Sequence, residues 1–188
     1  VIQNGVVGIA IVDGTDPANP LPAKAKPPLD PPGHNNIVVG STISGNTDAG
    51  IRVMGGGDNR IGTLTPTAQE KGNLIENNQT DGVVIGKYAT NNAISTGNQV
   101  LGNTLRNNGR HGISGKDASS IRNWFSQNSI TGNKGYGIRL DLGAQDSILP
   151  PVVSSIQADG HINGTARPNA TVELYSDPTG EGKDFLGK

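Results

Sequence analysis

The feature that most limits what this chain can become is a short phrase that returns five times. It runs aliphatic, two residues, Asn, three residues, Gly, aliphatic, any residue, aliphatic. It reads Val1, Asn4, Gly8, Ile9, Ile11, then Ile43, Asn46, Gly50, Ile51, Val53, then Ile75, Asn78, Gly82, Val83, Ile85. It returns as Leu105, Asn108, Gly112, Ile113, with Gly115 in the last aliphatic place, and as Ile130, Asn133, Gly137, Ile138, Leu140. Asn and Gly keep their separation every time. The interval between phrases shrinks from the 42 residues between Asn4 and Asn46 to the 25 between Asn108 and Asn133. A constant phrase at a variable interval is the mark of a structural repeat that carries loops.

The Gly-aliphatic-x-aliphatic part alternates with period 2, so it predicts a short strand buried on one face. The Asn supplies a bend, because Asn tolerates left-handed backbone better than most residues. Asparagines at one place in successive coils can also bond side chain to side chain, about 4.8 Å apart, as stacked strands do. A second polar row, Ser41, Asn73, Asn103 and Asn128, precedes the middle aliphatic. A further strand follows each glycine phrase at Asn59-Arg60-Ile61, Asn92-Ala93-Ile94 and Ser119-Ser120-Ile121. Composition agrees. Only 32% of residues are hydrophobic and 28 are Gly, yet charge is sparse at 16% with a net −1, unlike a disordered chain. A solenoid needs only a thin strip of aliphatics per coil. The fold class is therefore all-β, a right-handed parallel β-helix with three short strands per coil.

Asn-x-Ile-x-x-Asn-x-x-x-Gly-Ile-x-Ile, with Asn-x-Ile-Gly between coils, resembles the parallel β-helix repeat family of bacterial secreted and surface proteins. That family includes pectate-lyase-like enzymes, alginate epimerases, periplasmic copper-maturation proteins and many surface proteins. The resemblance covers roughly residues 1–146. It implies fold strongly and function weakly, since one fold hosts many functions.

The domain reading places a β-helix at 1–146, with loop insertions at 13–34 and 55–72. The first holds seven prolines between Asp13 and His34, and proline lacks the N–H that a ladder needs. After Pro150-Pro151 the composition changes. Val152–Ile156, His161-Ile162, Thr171–Tyr175 and Phe185-Leu186 read as strands, with turns at Asp159-Gly160, Pro168-Asn169 and Asp177-Pro178. Gly164-Thr165-Ala166-Arg167-Pro168-Asn169-Ala170-Thr171-Val172 resembles a signature of bacterial Ig-like modules. Residues 147–188 are too few for a whole sandwich. They read as the start of such a module, a cap on the β-helix, or a sheet that a partner completes. The chain opens inside a repeat, which suggests a piece of a longer protein whose export signal lies upstream.

In lyases and epimerases of this fold the reactive groups sit outside the coil, on neighbouring rungs. The outward rows here are Val7, Ala49, Asp81, His111, Tyr136, then Ala10, Arg52, Val84, Ser114, Arg139, then Val12, Met54, Gly86, Lys116, Asp141. Tyr136, His111 and Arg139 are the catalytic candidates: an acid, a base and a cation for a uronate carboxylate. Asp81, Lys116, Asp141, Arg52 and Trp124 are binding candidates. Tyr136-Gly137-Ile138-Arg139-Leu140-Asp141 resembles the epimerase motif Tyr-Gly-Phe-Asp-Pro-His-Glu. Arg139 stands where that motif has Asp and Asp141 where it has His, so only Tyr136 carries over. The expected function is a non-catalytic extracellular or cell-surface scaffold for adhesion or carbohydrate binding, within a larger protein or assembly. An acidic-polysaccharide lyase or epimerase is the alternative, and a fibre or tail-spike component a further one.

No cofactor is expected, although the loop carboxylates of Asp13-Gly14-Thr15-Asp16 and Gly57-Asp58-Asn59 could take Ca²⁺. His34, His111 and His161 lie in separate segments without ligand spacing, and there is no cysteine. The chain has no basic run for nucleic acid and no apolar stretch of membrane-spanning length. The expected partners are a polysaccharide or surface glycan, or further copies through coil edges or an incomplete Ig-like sheet. The expected location is extracellular or cell surface, bacterial type.

Overall fold

Short runs of two to four residues form strands here because each is closed by a residue that turns the chain. A computed structural model describes residues 1–3, 5–12, 33–67, 70–87 and 93–188. The first sheet stacks Ile2–Gln3, Thr42–Ser44, Leu74–Glu76, Thr104–Arg106 and Ser129–Thr131, all parallel. The second stacks Ile9–Val12, Ile51–Met54, Val83–Gly86, Ile113–Gly115 and Ile138–Leu140. The third stacks Ile37–Val38, Arg60–Gly62, Gln99–Leu101 and Trp124–Ser126. The chain visits the three in turn, so the architecture is the expected parallel β-helix. Register is in phase throughout: Ile51 pairs with Val83, Val83 with Ile113, and Ile113 with Ile138.

The interior is one aliphatic column. Ile43, Ile51, Val53, Ile61, Ile75, Val83, Ile85, Val100, Leu105 and Ile113 are all fully buried, with Phe125 packed beside them. The phrase glycines are required by closeness. A Cβ on Gly112 would lie 2.5 Å from Ile130 Cγ2 and 2.7 Å from the Gly137 carbonyl. On Gly50 it would lie 2.6 Å from Ile75 Cγ2. No side chain fits between the bend and the next coil.

The bends differ from the sequence reading in one respect. The repeated asparagines Asn46, Asn78, Asn108 and Asn133 are not themselves left-handed. The residue before each one is: Gly45, Asn77, Asn107 and Gly132 have φ of 66°, 55°, 55° and 68°. That residue reverses the chain and frees the asparagine to bond along the helix axis. Asn46 Nδ2 donates to Asn78 Oδ1 (2.7 Å), Asn78 to Asn108 (3.0 Å) and Asn108 to Asn133 (2.9 Å). The second row behaves alike, with Asn73 bonded to Asn103 and Asn103 to Asn128. A third ladder, Asn36, Asn59, Asn98 and Asn123, escapes the sequence reading. Its members again follow left-handed residues: Asn35, Asp58, Gly97 and Arg122.

Two placements need correction. The loop insertion expected at 55–72 is interrupted, because Arg60–Gly62, in the strand expected at Asn59-Arg60-Ile61, is a rung of the third sheet. Ser120-Ile121 does not share its row. It pairs instead with Ser95-Thr96 in an extra two-stranded ribbon between the second and third sheets. The asparagine at each third corner marks the true row, because Asn59, Asn98 and Asn123 precede equivalent strands. Asn4, most of the proline-rich insertion, Asp13 to Asp16 and Asn92 lie outside the described residues.

Beyond Leu140 the strands turn antiparallel. Val152–Ile156 pairs with Ile162–Thr165, and Leu174–Ser176 pairs with Asp184–Gly187. The first strand matches its expected bounds, the others overlap theirs but run later or longer, and the two hairpins form separate sheets.

Candidate functional site

The outward rows of the second sheet hold most of the candidate residues, and the in-phase register brings part of the set together. His111 and Tyr136 are equivalent residues on adjacent coils, each just ahead of its phrase glycine. Their rings stack at 5.6 Å between centroids and 13° between planes. The Tyr136 N–H donates to His111 Nδ1 (2.8 Å), which fixes the His111 ring against the Tyr136 backbone. The Arg139 guanidinium lies 5.6 Å from the Tyr136 ring centroid, in cation–π range. Arg139 and Lys116 both approach the Asp141 carboxylate, at 3.4 and 3.7 Å. Tyr136 remains 61% exposed. The result is an open aromatic face edged by two cations and a carboxylate.

Asp81 completes the row but is buried and committed to structural work. It is 1% exposed, accepts from the Ser114 hydroxyl (2.6 Å) and the His111 N–H (3.3 Å), and faces Arg110 at 3.7 Å. Asp81 therefore holds the His111 backbone in place and offers no free oxygen to a ligand. The sequence reading missed Arg110, whose only signal is its place just before His111. Val84 and Ser114 were expected to face solvent, yet both are buried.

Two candidates lie elsewhere. Arg52 shares a row with Arg139, but Val84 and Ser114 separate them, a gap of roughly 14 Å at strand spacing. Arg52 instead grips Asp48 with two bonds, of 2.8 and 2.6 Å, while Thr80 donates to the same carboxylate. Trp124 belongs to the third sheet, in a row with Ile37, Arg60 and Gln99. As its alternation with Phe125 predicts, Trp124 faces out and Phe125 packs on the core.

Burial lowers the His111 pKa below the ordinary histidine value. Asp81 opposes this, and Arg110, Lys116 and Arg139 add to it. His111 is therefore neutral at pH 7. Because Nδ1 accepts the Tyr136 N–H, the ring proton is assigned to Nε2. A neutral ring in that tautomer shows a ligand an N–H donor. A base for the C5 proton of a uronate needs the opposite.

The family model for periplasmic copper-binding protein (NosD) matches residues 31–156. The chain belongs to the NosD family. That model spans all the described coils but the first and reaches the first C-terminal strand. The NosD description as periplasmic agrees with the exported, bacterial-type location expected from sequence. Among the described residues no helix is long and apolar enough to cross a membrane. No curated protein and no solved structure matches the chain.

The copper of the NosD description finds no donor set among the described residues. The chain has no cysteine and one methionine, and no three His, Cys, Asp or Glu side chains gather among the described residues. Copper sites favour imidazole and sulfur ligands. His111 has one nitrogen engaged and no second imidazole beside it, so nothing here is routed through a metal. Of the two loops weighed for Ca²⁺, Asp58 occupies a left-handed corner of the third ladder and the other lies outside the described residues.

Proposed function

We propose that this NosD-family chain is a non-catalytic scaffold, part of a larger exported protein or assembly, that binds carbohydrate on the outside of its β-helix. The patch of Tyr136, His111, Arg139, Lys116 and Asp141 is the binding surface, and an acidic sugar is its ligand. The reading treats 1–146 as the coil unit and 147–188 as a unit set against its end.

The observation that carries it is the Tyr136 ring, exposed on a rigid coil and fixed by His111 below and Arg139 alongside. An amphipathic ring offers a sugar a flat apolar face at little entropic cost. Arg139 and Lys116 supply charge-assisted bonds for a carboxylate, and His111 Nε2–H supplies a donor. The surface is open, which suits a polymer running across it. Catalysis has less support, because the acid–base pair of an elimination needs a base and His111 presents a donor.

The test is a panel of alginate, pectate, hyaluronan and heparan-type polymers, with binding measured by calorimetry and elimination by the ultraviolet absorbance of unsaturated uronates. Binding without new absorbance, weakened about tenfold in Tyr136→Ala or Arg139→Ala, is the expected result. Rising absorbance that Tyr136→Phe abolishes would make the protein a lyase. No binding to any polymer would remove the carbohydrate reading.

A further inference from the structure

Each asparagine ladder has a direction. The asparagine of one coil donates its N–H and its Nδ2–H to the Oδ1 of the asparagine one coil later, as Asn108 does to Asn133. The last coil therefore ends in a face of donors with no following coil to accept from them. Four groups of donors stand there: the N–H and Nδ2–H of Asn133, the same pair on Asn123, the N–H of Gln127 and the N–H of Ile130.

All four are met by residues that follow the coils. Glu181 Oε2 accepts both donors of Asn133, at 3.0 and 2.8 Å. Gln145 Oε1 accepts from Asn123 N (2.9 Å), where an asparagine Oδ1 of the next coil would stand. One coil earlier, Gly102 N–H donates to the Ser126 carbonyl. At the equivalent place on the last coil, Gln127 N–H donates to Glu173 Oε2 (3.0 Å), while the Ser126 hydroxyl reaches the other oxygen. The Ile130 N–H finds the Gly182 carbonyl at 2.9 Å. These acceptors are pre-arranged. Asp177 takes bonds from Thr179, Glu181 N and Gly182 N, which folds 177–182 into a tight loop, and Tyr175 donates to Glu173 (2.7 Å). The loop closes tightly on the coil: a Cβ on Gly137 would meet the Glu181 carbonyl at 2.0 Å.

We infer that the end face of the last coil is a docking surface for oxygen acceptors, and that the segment Glu173–Gly182 of this same chain is the partner built to fill it. Gln145 completes the third ladder from the preceding turn. The segment and Gln145 together imitate a coil chemically without being one: two carboxylates, a carboxamide and a carbonyl stand where two asparagines and two backbone carbonyls of a further coil would. What holds it is acceptance of those donors, beyond any apolar contact between hairpin and coil.

Hydrogen exchange of the full-length chain, read residue by residue by NMR, tests this with Glu181→Gln and Glu181→Leu. Gln keeps the acceptor oxygen and Leu keeps only the bulk. Glu181→Gln should leave the Asn133 and Ile130 amides protected to within a fewfold of wild type. Glu181→Leu should speed their exchange about tenfold or more, with residues 42–86 unchanged. Asp177→Ala, which unfastens the loop without touching the coil, should raise exchange at the same two amides, and it decides the matter should the leucine variant fail to fold. Equal exchange in the Leu variant and wild type, equal loss in Gln and Leu, or an Asp177→Ala variant with unchanged Asn133 protection would each overturn the inference.

Discussion

Replacing Asn108 by Ala cuts the first ladder at its middle. The Asn108 side chain makes four bonds in full burial. Its Nδ2 donates to Asn133 Oδ1 (2.9 Å) and the Ile75 carbonyl (3.2 Å), and its Oδ1 accepts from Asn78 N (3.2 Å) and Asn78 Nδ2 (3.0 Å). Alanine removes all four and leaves the Asn78 N–H buried without an acceptor. Asn78 Nδ2 keeps only a 3.3 Å contact to the Ile43 carbonyl. An orphaned buried donor costs about 1–3 kcal/mol and each lost net bond about 1 kcal/mol, so the expected loss is about 3–5 kcal/mol. Backbone strain adds nothing, because the left-handed residue is Asn107. Urea unfolding at fixed protein concentration reads the change, with the denaturant slope checked against wild type. Asn36→Ala is the control, since Asn36 is exposed at the start of its ladder and donates outward only to the His34 carbonyl and Asn59. It should cost about 1 kcal/mol. If Asn108→Ala costs no more than Asn36→Ala, the ladders are not what joins coil to coil.

Other substitutions separate the remaining causes. Gly112→Ala should lose about 2–3 kcal/mol in the same assay, because its Cβ would enter the Ile130 side chain and the Gly137 carbonyl. Asn107→Gly should be neutral or slightly stabilising, whereas Asn107→Ala should cost about 1 kcal/mol, since only the first relieves the left-handed φ of 55°. Burial works against the charge on Glu173, but bonds from Ser126, Gln127 and Tyr175 outweigh it and hold its carboxyl below the ordinary glutamate value. A depressed carboxyl stabilises the fold above the unfolded value, and that stability is lost as pH falls through the folded one. Melting temperature should therefore drop on acidification below the usual glutamate range, and less steeply in Glu173→Gln. For His111 the depressed pKa means the unfolded chain binds the proton more readily, so stability falls as pH descends from the ordinary histidine value. NMR titration should find its midpoint below the ordinary histidine value.

The coil was legible because its rules are local and repeated. Ile43, Ile75, Leu105 and Ile130 fall in one column only if every strand keeps phase, and the constant Asn-to-Gly spacing says that it does. The third ladder was hidden by unequal loops: Asn59, Asn98 and Asn123 are not at a fixed distance from the first-ladder asparagines, and no glycine phrase follows them. The true bend residues were obscured for a related reason. Gly45, Asn77, Asn107 and Gly132 differ in type, while the invariant asparagine beside them draws the eye. In the candidate site, the stack of His111 on Tyr136 follows from register alone. The burial of Asp81 and Ser114 does not, because the repeat specifies neither the bond between them nor the Arg110 ion pair. The Glu173, Gln145 and Glu181 contacts left no periodic trace, since each is made once, at the end of the last coil.

The same economy limits where function can reside. In this β-helix the inward positions are committed to the aliphatic column, and the corners to left-handed turns and asparagines. Any chemistry must come from outward rows, where the repeat imposes no residue. Along the row ahead of the phrase glycines the residues run Val7, Ala49, Asp81, His111, Tyr136, from apolar to reactive. Asp81 is consumed in holding the His111 N–H, and His111 Nδ1 in holding the Tyr136 N–H. Each residue in the series fixes the next, so the one that remains free is Tyr136, at the end of the row and beside the capped face. A ring stacked on the positioned His111 and flanked by Arg139 loses little freedom when a ligand settles on it. Asp81→Asn keeps the acceptor oxygen and should leave ligand affinity near wild type. Asp81→Ala should release His111 and weaken binding severalfold although Asp81 touches no ligand. Equal affinity in both variants, measured by calorimetry, would break this chain of support and leave Tyr136 to act alone.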